Sequence, residues 1–531
     1  MSNMITVHNP ATDEVLGEVK SYSFEEGVDA IKRARAAQRR WASKSLDERV
    51  SIIKKFQYAL VERAEEVCEL IARENGKPLM EAMETEVMPI VDLTAYFCKR
   101  APKILADDPI PMHLVKYRKS YINYRPYGVL LCISPWNFPF TIPTGEIIMA
   151  LIAGNAVVHK PASITPLIAL KCRELFDDAG LDADLYQVLP MAGSMAFKLI
   201  SQDVNYVNFT GSTDVGQMVA AECGRLLIPC SMELGGKDPA IVCEDADVEH
   251  AVGSLVWGAF ANAGQVCASV ERAYVHESIY DEVVKKVVER VSKLKVGNPI
   301  EDGVSMGPMT DPGQLKVVIN QMEEAKKAGA KFLTGGYKIE GPGQFYAPTV
   351  IVDVDDSFEC VREETFGPTL PIMKYRTEDE AIRRANDSKF GLNAYVFSTN
   401  KFKAKRIAEQ LEAGTVMVNE VLLTHGLPET PWGGVKTSGV GRVHSDEGLR
   451  GLCIPYHINY DLVRQPAWSP FWQPYTHKMY HGMVATIRAM WGRGLGGKIE
   501  GVKDLFNIRA KIANGANGSG RAPGAPAGQK A

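Results

Sequence analysis

Two short runs of the chain carry side chains suited to covalent chemistry. Cys267 lies in Phe260-Ala261-Asn262-Ala263-Gly264-Gln265-Val266-Cys267-Ala268, and Glu233 lies in Met232-Glu233-Leu234-Gly235-Gly236-Lys237. A thiolate attacks an electrophilic carbon, and a carboxylate activates the water that releases the product. Ten cysteines compete for the first role. Cys132, Cys223 and Cys243 read as small core residues. Cys267 differs because it follows Gly264-Gln265 in a Gly/Ala-rich segment that allows close approach. An attacking cysteine also needs a polar, partly exposed setting that favours the thiolate, which only the fold can provide. Ser134-Pro135-Trp136-Asn137-Phe138-Pro139 adds a loop frozen by two prolines, leaving the Asn137 amide free to donate. A fixed amide donor suits a developing oxyanion, and its removal costs roughly 10²- to 10³-fold in rate. Taken alone, the hexapeptide is equally a rigid structural turn.

A second group of residues suits a nucleotide. Phe209-Thr210-Gly211-Ser212-Thr213-Asp214-Val215-Gly216 closes a predicted strand and opens a helix. Free N–H groups and the positive end of the helix dipole favour phosphate there, and Ser212 adds a hydroxyl donor beside Gly211. The same octapeptide is also an ordinary N-cap with Asp214 in the first turn, and it lacks the G-x-G-x-x-G fingerprint. Lys160 ends a strand before Pro161. It can donate to ribose or phosphate at the carboxyl edge of a sheet, or it is a solvated lysine. Glu364, in Glu363-Glu364-Thr365-Phe366-Gly367-Pro368, can accept from both hydroxyls of a ribose, with Phe366 flanking a planar ring. Alone, that run is a charged turn before a Gly-Pro break. Together the segments imply covalent chemistry on a carbonyl beside a dinucleotide.

These residues need a scaffold, and the chain is long enough for one with several cores. A chain of 531 residues implies about three domains. Its apolar and charged fractions, 46% and 23%, place it among soluble globular proteins. A net charge of −4 gives no global pull toward nucleic acid or anionic lipid. The cysteines show no CxxC or zinc-type spacing, so no metal site is expected, and reduced thiols in a cytoplasmic setting are. Neither a signal peptide nor a span of eighteen or so apolar residues is evident.

Helical periodicity runs from Phe24 to Arg73, with Ile31, Ala34, Ala37 and Trp41, then Ile52, Phe56 and Leu60, at spacings of three and four. From Gly128 onward, strands alternate with helices. Gly128–Ser134, Ala156–Lys160, Tyr186–Leu189 and Tyr206–Phe209 read as strands, and Ile142–Ala153 and Pro166–Ala179 as helices. The alternation resumes with a strand at Asp238–Val242 and a helix from Asp247 to Gly258. Repeated strand-helix units imply parallel sheets with helices on both faces. A second αβ domain therefore begins close to Glu233. Pro466–Tyr475 is rich in Pro and aromatics, and His477–Trp491 carries Met479, Met483, Ile487, Met490 and Trp491 along one helical side. Residues 514–531 are Gly/Ala/Pro-rich and read as disordered.

Seven segments in one order resemble the NAD(P)-dependent aldehyde dehydrogenase superfamily, from about Val7 to about Asp461. They are Pro135–Pro139, Gly154–Pro161, Phe209–Ser212, Glu233–Lys237, Gly264–Cys267, Glu364–Pro368 and Pro431–Gly439. The resemblance implies two Rossmann-like αβ domains with parallel sheets, a small β oligomerisation arm and an extra C-terminal tail. The cofactor domain would take 1–116 and 128–233, the arm 117–127 and 448–463, and the catalytic domain 234–447. An extension over 464–513 and the tail 514–531 would follow. It implies oxidation of an aldehyde to the acid with NAD or NADP: Cys267 attacks, the Asn137 amide and the Cys267 backbone N–H hold the oxyanion, hydride leaves and Glu233 activates water on the thioester. By the same likeness Lys160 and Glu364 hold ribose, Trp136, Gly211 and Ser212 lie at the pyrophosphate, and Phe366 borders the nicotinamide. A homodimer or homotetramer is expected.

Two departures bear on specificity. Ser163 stands where strictly NAD-dependent relatives often carry an acidic residue, which opens the site to NADP. Relatives that oxidise succinate semialdehyde carry an arginine shortly after the Trp-Asn-Phe-Pro run, and Thr141–Ile147 has none. The mostly apolar Val421–Leu427 suits an apolar aldehyde, long-chain, aromatic or isoprenoid. A CoA-acylating enzyme, which needs no general base, is disfavoured by Glu233; a semialdehyde dehydrogenase remains the other alternative. Between Arg464 and Lys511 lie eight basic and two acidic residues, interleaved with Trp468, Phe471, Trp472, Tyr475, Tyr480 and Trp491. Such a segment either contacts an anionic membrane surface peripherally or packs on protein, and glycines at 492, 494, 496 and 497 are expected to interrupt its helix.

Overall fold

The computed structural model describes residues 4–464, 469 and 471–507. The chain opens with an antiparallel pair, β1 (Met4–His8) and β2 (Val15–Lys20). The periodic stretch then forms three helices, Phe24–Ala42, Leu46–Glu62 and Ala64–Asn75. Ser23 with Glu26, and Ser45 with Glu48, make reciprocal capping boxes that set the first two starts. Two strands, β3 (Asp108–Ile110) and β4 (Arg118–Pro126), follow.

β5 (Val129–Ile133), β6 (Ala156–Lys160), β7 (Tyr186–Val188), β8 (Tyr206–Thr210) and β9 (Cys230–Glu233) pair in parallel. Their spatial order is β9-β8-β5-β6-β7. The chain therefore winds in both directions from β5, and a crevice opens between the carboxyl ends of β5 and β8, where ligands of such sheets bind. The helix Thr141–Ala153, between β5 and β6, is apolar on every side, and all 13 of its residues are buried.

β10 (Asp238–Val242), β11 (Val270–His276), β12 (Lys331–Phe332), β13 (Thr349–Val352), β14 (Thr369–Tyr375), β15 (Asn393–Phe397) and β16 (Thr415–Val418) form the second sheet. Its order is β12-β13-β14-β11-β10-β15-β16, with only β12 antiparallel. β10, β13 and β15 are buried along their whole length, as the middle of a doubly covered parallel sheet requires. Each sheet has its own apolar core, and the chain passes from one to the other through Leu234–Lys237. β17 (Gly439–Val440) returns to pair antiparallel with β9, opposite Glu233 and Met232. β18 (Cys453–Asp461) completes a three-stranded sheet in the order β18-β4-β3.

By contacts the chain divides into two units. One holds Met1–Asp108 and Ile122–His457, with both parallel sheets; the other holds Pro109–Tyr121 and the chain from Ile458. Within the second unit Arg118 pairs with Asp461 and Asn459, and the helices His477–Trp491 and Gly494–Phe506 pack together.

The α/β class with two parallel sheets is as the sequence predicts. The arm expected over 448–463 begins in a helix, Ser445–Gly451, and becomes strand only at Cys453. The expected helix interruption is confined to Gly492 and Arg493: Gly494, Gly496 and Gly497 open the second helix. The segment 514–531 and Trp468 lie outside the described residues.

Candidate active site

The loop after β5 is clamped from a single neighbouring segment. Asn75 Nδ2 donates to the Trp136 carbonyl at 2.9 Å. Glu86 accepts from the backbone N–H groups of Phe140 and Thr141 at 3.1 and 2.7 Å. Its charge is matched by Lys77 at 2.7 Å in a pair with no exposed side-chain surface. The Lys77 ammonium also sits 3.8 Å from the centre of the Phe138 ring. Removing one partner of so buried a pair would cost about 3–5 kcal/mol.

The turn that delivers Cys267 is built against the same segment. Asn262, Ala263 and Gly264 take φ values of 50°, 53° and 73°. Left-handed conformation costs a non-glycine residue about 1–3 kcal/mol and persists only where surroundings enforce it. Here Glu81 accepts from the Asn262 N–H at 2.8 Å, and Asn262 Nδ2 donates to the Asn137 carbonyl at 2.9 Å. Asn137 Nδ2 donates to the Gln265 carbonyl at 2.9 Å, which leaves its second hydrogen for another acceptor. Gly264 is obligatory, since a Cβ there would run into the Gly367 carbonyl. Gly235 and Gly236 serve the same end: a side chain at either would strike Glu364 or the Cys267 carbonyl.

The loop bearing Glu364 and Phe366 is fixed by Glu271. Glu271 accepts from the N–H groups of Thr365 and Phe366 at 3.1 and 2.9 Å and pairs with buried Lys237 at 2.5 Å. Gly236 N–H donates to Glu364 at 2.9 Å.

Three cavities meet at Cys267. One, of about 220 Å³, has apolar walls from Met88, Phe138, Ile142, Trp257, Leu422 and Trp432. A second, of about 200 Å³, is bordered by Trp136, Asn137, Gly211, Ser212, Glu364 and Phe366, together with Glu233 and Cys267. The third, about 20 Å³, lies among Glu146, Thr210, Glu233, His425, Trp432 and Cys267; it is large enough for about one water. Eight of the residues singled out from sequence thus border one cleft. Lys160 and Ser163 do not line it: Lys160 is buried at the end of β6, and Ser163 is exposed in the next turn.

The cleft fits a dinucleotide. The helix Thr213–Leu226 starts at Ser212 with no side-chain cap, and the Thr213 hydroxyl is buried without a partner among the described residues. Uncapped N–H groups at a helix start hold phosphate well. The buried Lys160 ammonium also has no acceptor among the described residues, and burial lowers its pKa.

A family model described as the aldehyde dehydrogenase family matches residues 1–455. The chain belongs to the aldehyde dehydrogenase family. As such it is an NAD(P)-dependent oxidoreductase that acts on aldehydes. It is 39% identical over 427 residues, 80% of this chain and 82% of the relative, to a Mycolicibacterium smegmatis protein provisionally named succinate-semialdehyde dehydrogenase (NADP+). It is 36% identical over 468 residues, 87% of this chain and 86% of the relative, to a 4,4'-diapolycopene aldehyde oxidase of Methylomonas. It superposes with a TM-score of 0.84 on Staphylococcus aureus betaine aldehyde dehydrogenase in complex with NAD+, at 32% identity over 88% of this chain and 93% of that one.

The electrostatics of this aldehyde dehydrogenase site favour neutral forms. Cys267 is partly accessible, yet the surrounding protein raises its pKa, and the carboxyls of Asp238, Glu233 and Glu364 raise it further; the Ala268 N–H opposes them. Glu233 is buried, and its carboxylate oxygens have no hydrogen-bond partner among the described residues. Burial and then Glu146 hold its pKa well above the usual carboxylate range, against the pull of Arg442 and the Trp432 indole. Glu146 and Glu364 are each pushed up to about 8 by burial. His425 is pushed down to about 4 by burial, so it faces the cavities as a neutral ring.

Sequence reading missed Glu146, His425 and the clamp of Lys77, Glu81 and Glu86. Glu146 left a signal, as the single charge in the otherwise apolar Thr141–Ala153. The clamp left none, because Glu86 sits more than fifty residues from the amides it holds.

Proposed function

We propose that Cys267, its thiol proton released to solvent, attacks the aldehyde carbon as the thiolate, with the remaining Asn137 amide hydrogen and the Cys267 backbone N–H holding the oxyanion. Bound NAD(P), held along Trp136, Gly211, Ser212, Glu364 and Phe366, supplies the hydride acceptor. Loss of hydride leaves a thioester on Cys267. Glu233 then takes a proton from a water in the small cavity, the hydroxide adds to the thioester carbon, and the acid leaves as the thiol is restored. Burial raises the pH at which Glu233 ionises, and Glu146, which borders the same small cavity, raises it further. The carrying observation is that one sulfur lines both an apolar cavity and the phosphate-suited cleft.

The substrate reading is an apolar aldehyde, long-chain, aromatic or isoprenoid. The larger cavity is bordered by no Lys or Arg, and its charged residues are Glu81 and Glu84. A carboxylate-bearing aldehyde would meet like charge there, which counts against succinate semialdehyde despite the name of one relative. The diapolycopene aldehyde oxidase relative agrees with the apolar reading. Steady-state kcat/KM across aldehydes of varied length and polarity, each with NAD and NADP, tests it; a preference for succinate semialdehyde would overturn it. Exposed Ser163 supports use of either cofactor. Ten free cysteines support a cytoplasmic setting. A homodimer or homotetramer is supported by β18, an edge strand with exposed Ile454, Tyr456 and Tyr460; sedimentation velocity tests it.

A further inference from the structure

The two C-terminal helices pack the wrong way round for a hairpin in water. His477–Trp491 and Gly494–Phe506 meet through small residues and one ion pair. Only Ala485, Gly501 and Asp504 are buried along their length. A Cβ on Gly501 would collide with the backbone of Arg488 and Ala489, so the helices touch backbone to backbone there. Beside this contact Arg488 pairs with Asp504 at 2.9 Å.

Met479, Met483 and Val484 are half-buried, but most of the other large apolar side chains are exposed. Tyr480, Ile487 and Trp491 recur at spacings of seven and four on the first helix, and Leu495, Ile499, Val502 and Phe506 at four, three and four on the second. Leu495 is 81% exposed and Phe506 86%. A water-facing amphipathic helix buries such a stripe. Interhelical contact through small residues, with bulky side chains turned out, is the arrangement of helices whose surroundings are apolar.

Charge selects the surroundings. Residues 471–507 hold five basic and two acidic residues, a net charge of +3 in a chain of net −4. A second copy of the hairpin would set like charge against like; an anionic lipid surface would not. Exposed Phe471, Trp472 and Tyr475 supply aromatics suited to the headgroup layer. The helices have 15 and 13 residues, about 22 and 20 Å at 1.5 Å per residue, short of the roughly 30 Å hydrocarbon layer. No helix among the described residues is long and apolar enough to cross a membrane.

We propose that this hairpin lies in the interface of an anionic bilayer, its outward stripes among the upper acyl chains and Arg493, Lys498 and Lys503 at the headgroups. The proposal stands apart from the substrate reading, because it rests on the hairpin's own residues alone.

The test is flotation of the full-length protein on phosphatidylcholine vesicles with and without phosphatidylglycerol, at low and high salt. The wild type is expected to float with the anionic vesicles and to bind the neutral ones much less. R493E with K498E should weaken partitioning roughly 25-fold or more, since each basic charge near such a surface is worth about fivefold. L495D with F506D should abolish flotation while oxidation of a water-soluble aldehyde stays unchanged, which shows the variant is folded. Absent or charge-independent wild-type binding would overturn the proposal, as would a fall in sedimenting mass in L495D/F506D without a change in flotation, which would assign the stripe to a second copy.

Discussion

The helix Thr141–Ala153 and the helix Gly494–Phe506 are the same length, 13 residues, and both are rich in apolar side chains. The first is buried on every side and holds its one charge, Glu146, against the reacting groups. The second buries Gly501 and Asp504 and leaves Leu495, Ile499 and Phe506 outside. Glycine divides the same way. Gly235, Gly236 and Gly264 let reactive backbone come close; Gly501 lets two helices come close so that larger side chains face away. One region spends its apolar surface on shielding chemistry from water, the other on presenting a surface.

The sharpest way to break this contrast is at the sulfur. Cys267→Ala should lower acid formation by roughly 10⁴-fold or more, with the NAD(P)-dependent rate at saturating aldehyde as the readout; normal turnover by a folded variant would remove the basis of the proposed chemistry. Glu233→Gln should release about one equivalent of reduced cofactor per site and then slow by roughly 10²- to 10⁴-fold, visible in stopped-flow absorbance. An undiminished steady state would mean another group activates the water. Asn137→Ala should lose about 10²- to 10³-fold in kcat, with little change in cofactor affinity.

A smaller effect sharpens the role of Glu146. Its carboxyl raises the pKa of Glu233, and in the proposed mechanism Glu233 acts as the carboxylate. Activity limited by hydrolysis should therefore rise with pH into the alkaline range, and Glu146→Gln should move that limb to lower pH in a kcat–pH profile. Stability follows the same sign. A buried carboxyl raised to about 8 binds its proton more tightly folded than unfolded. Its contribution is full below the unfolded value near 4.5 and is lost as pH rises through about 8. Glu146→Gln should therefore raise Tm more at pH 9 than at pH 6. An unmoved profile with unmoved Tm would make Glu146 a bystander. Smallest of all, L495D with F506D should leave the Tm of the catalytic unit within the range of ordinary surface changes, about 0.5 kcal/mol. A large drop would mean the outward stripe is buried against protein.

Much of this is legible along the chain because it is local. Capping boxes at Ser23 and Ser45, unbroken apolar strands such as Ala156–Lys160, and the Gly-Gly and Gly-Gln runs beside Glu233 and Cys267 are short-range features. The strand Cys453–Asp461 shows the limit. It begins five residues after position 448, because Ser445–Gly451 is helical. The clamp of Glu81 and Glu86 shows another limit, as does the place of Glu146 beside Glu233. Those depend on distant segments meeting, and no spacing within either segment encodes the meeting.

By itself the sequence determined the α/β class with parallel sheets and singled out Cys267 and Glu233 for the proposed chemistry, because strand-helix alternation and glycine-flanked reactive residues are written within a few positions. Only the tertiary structure decided that one sulfur faces two cavities of opposite character, that Glu233 shares a water-sized space with Glu146, and that the last helices turn their apolar faces outward. Each of these depends on burial. Burial sets the charge state of a carboxyl and the use of an apolar stripe through everything that surrounds it, near or far in the chain.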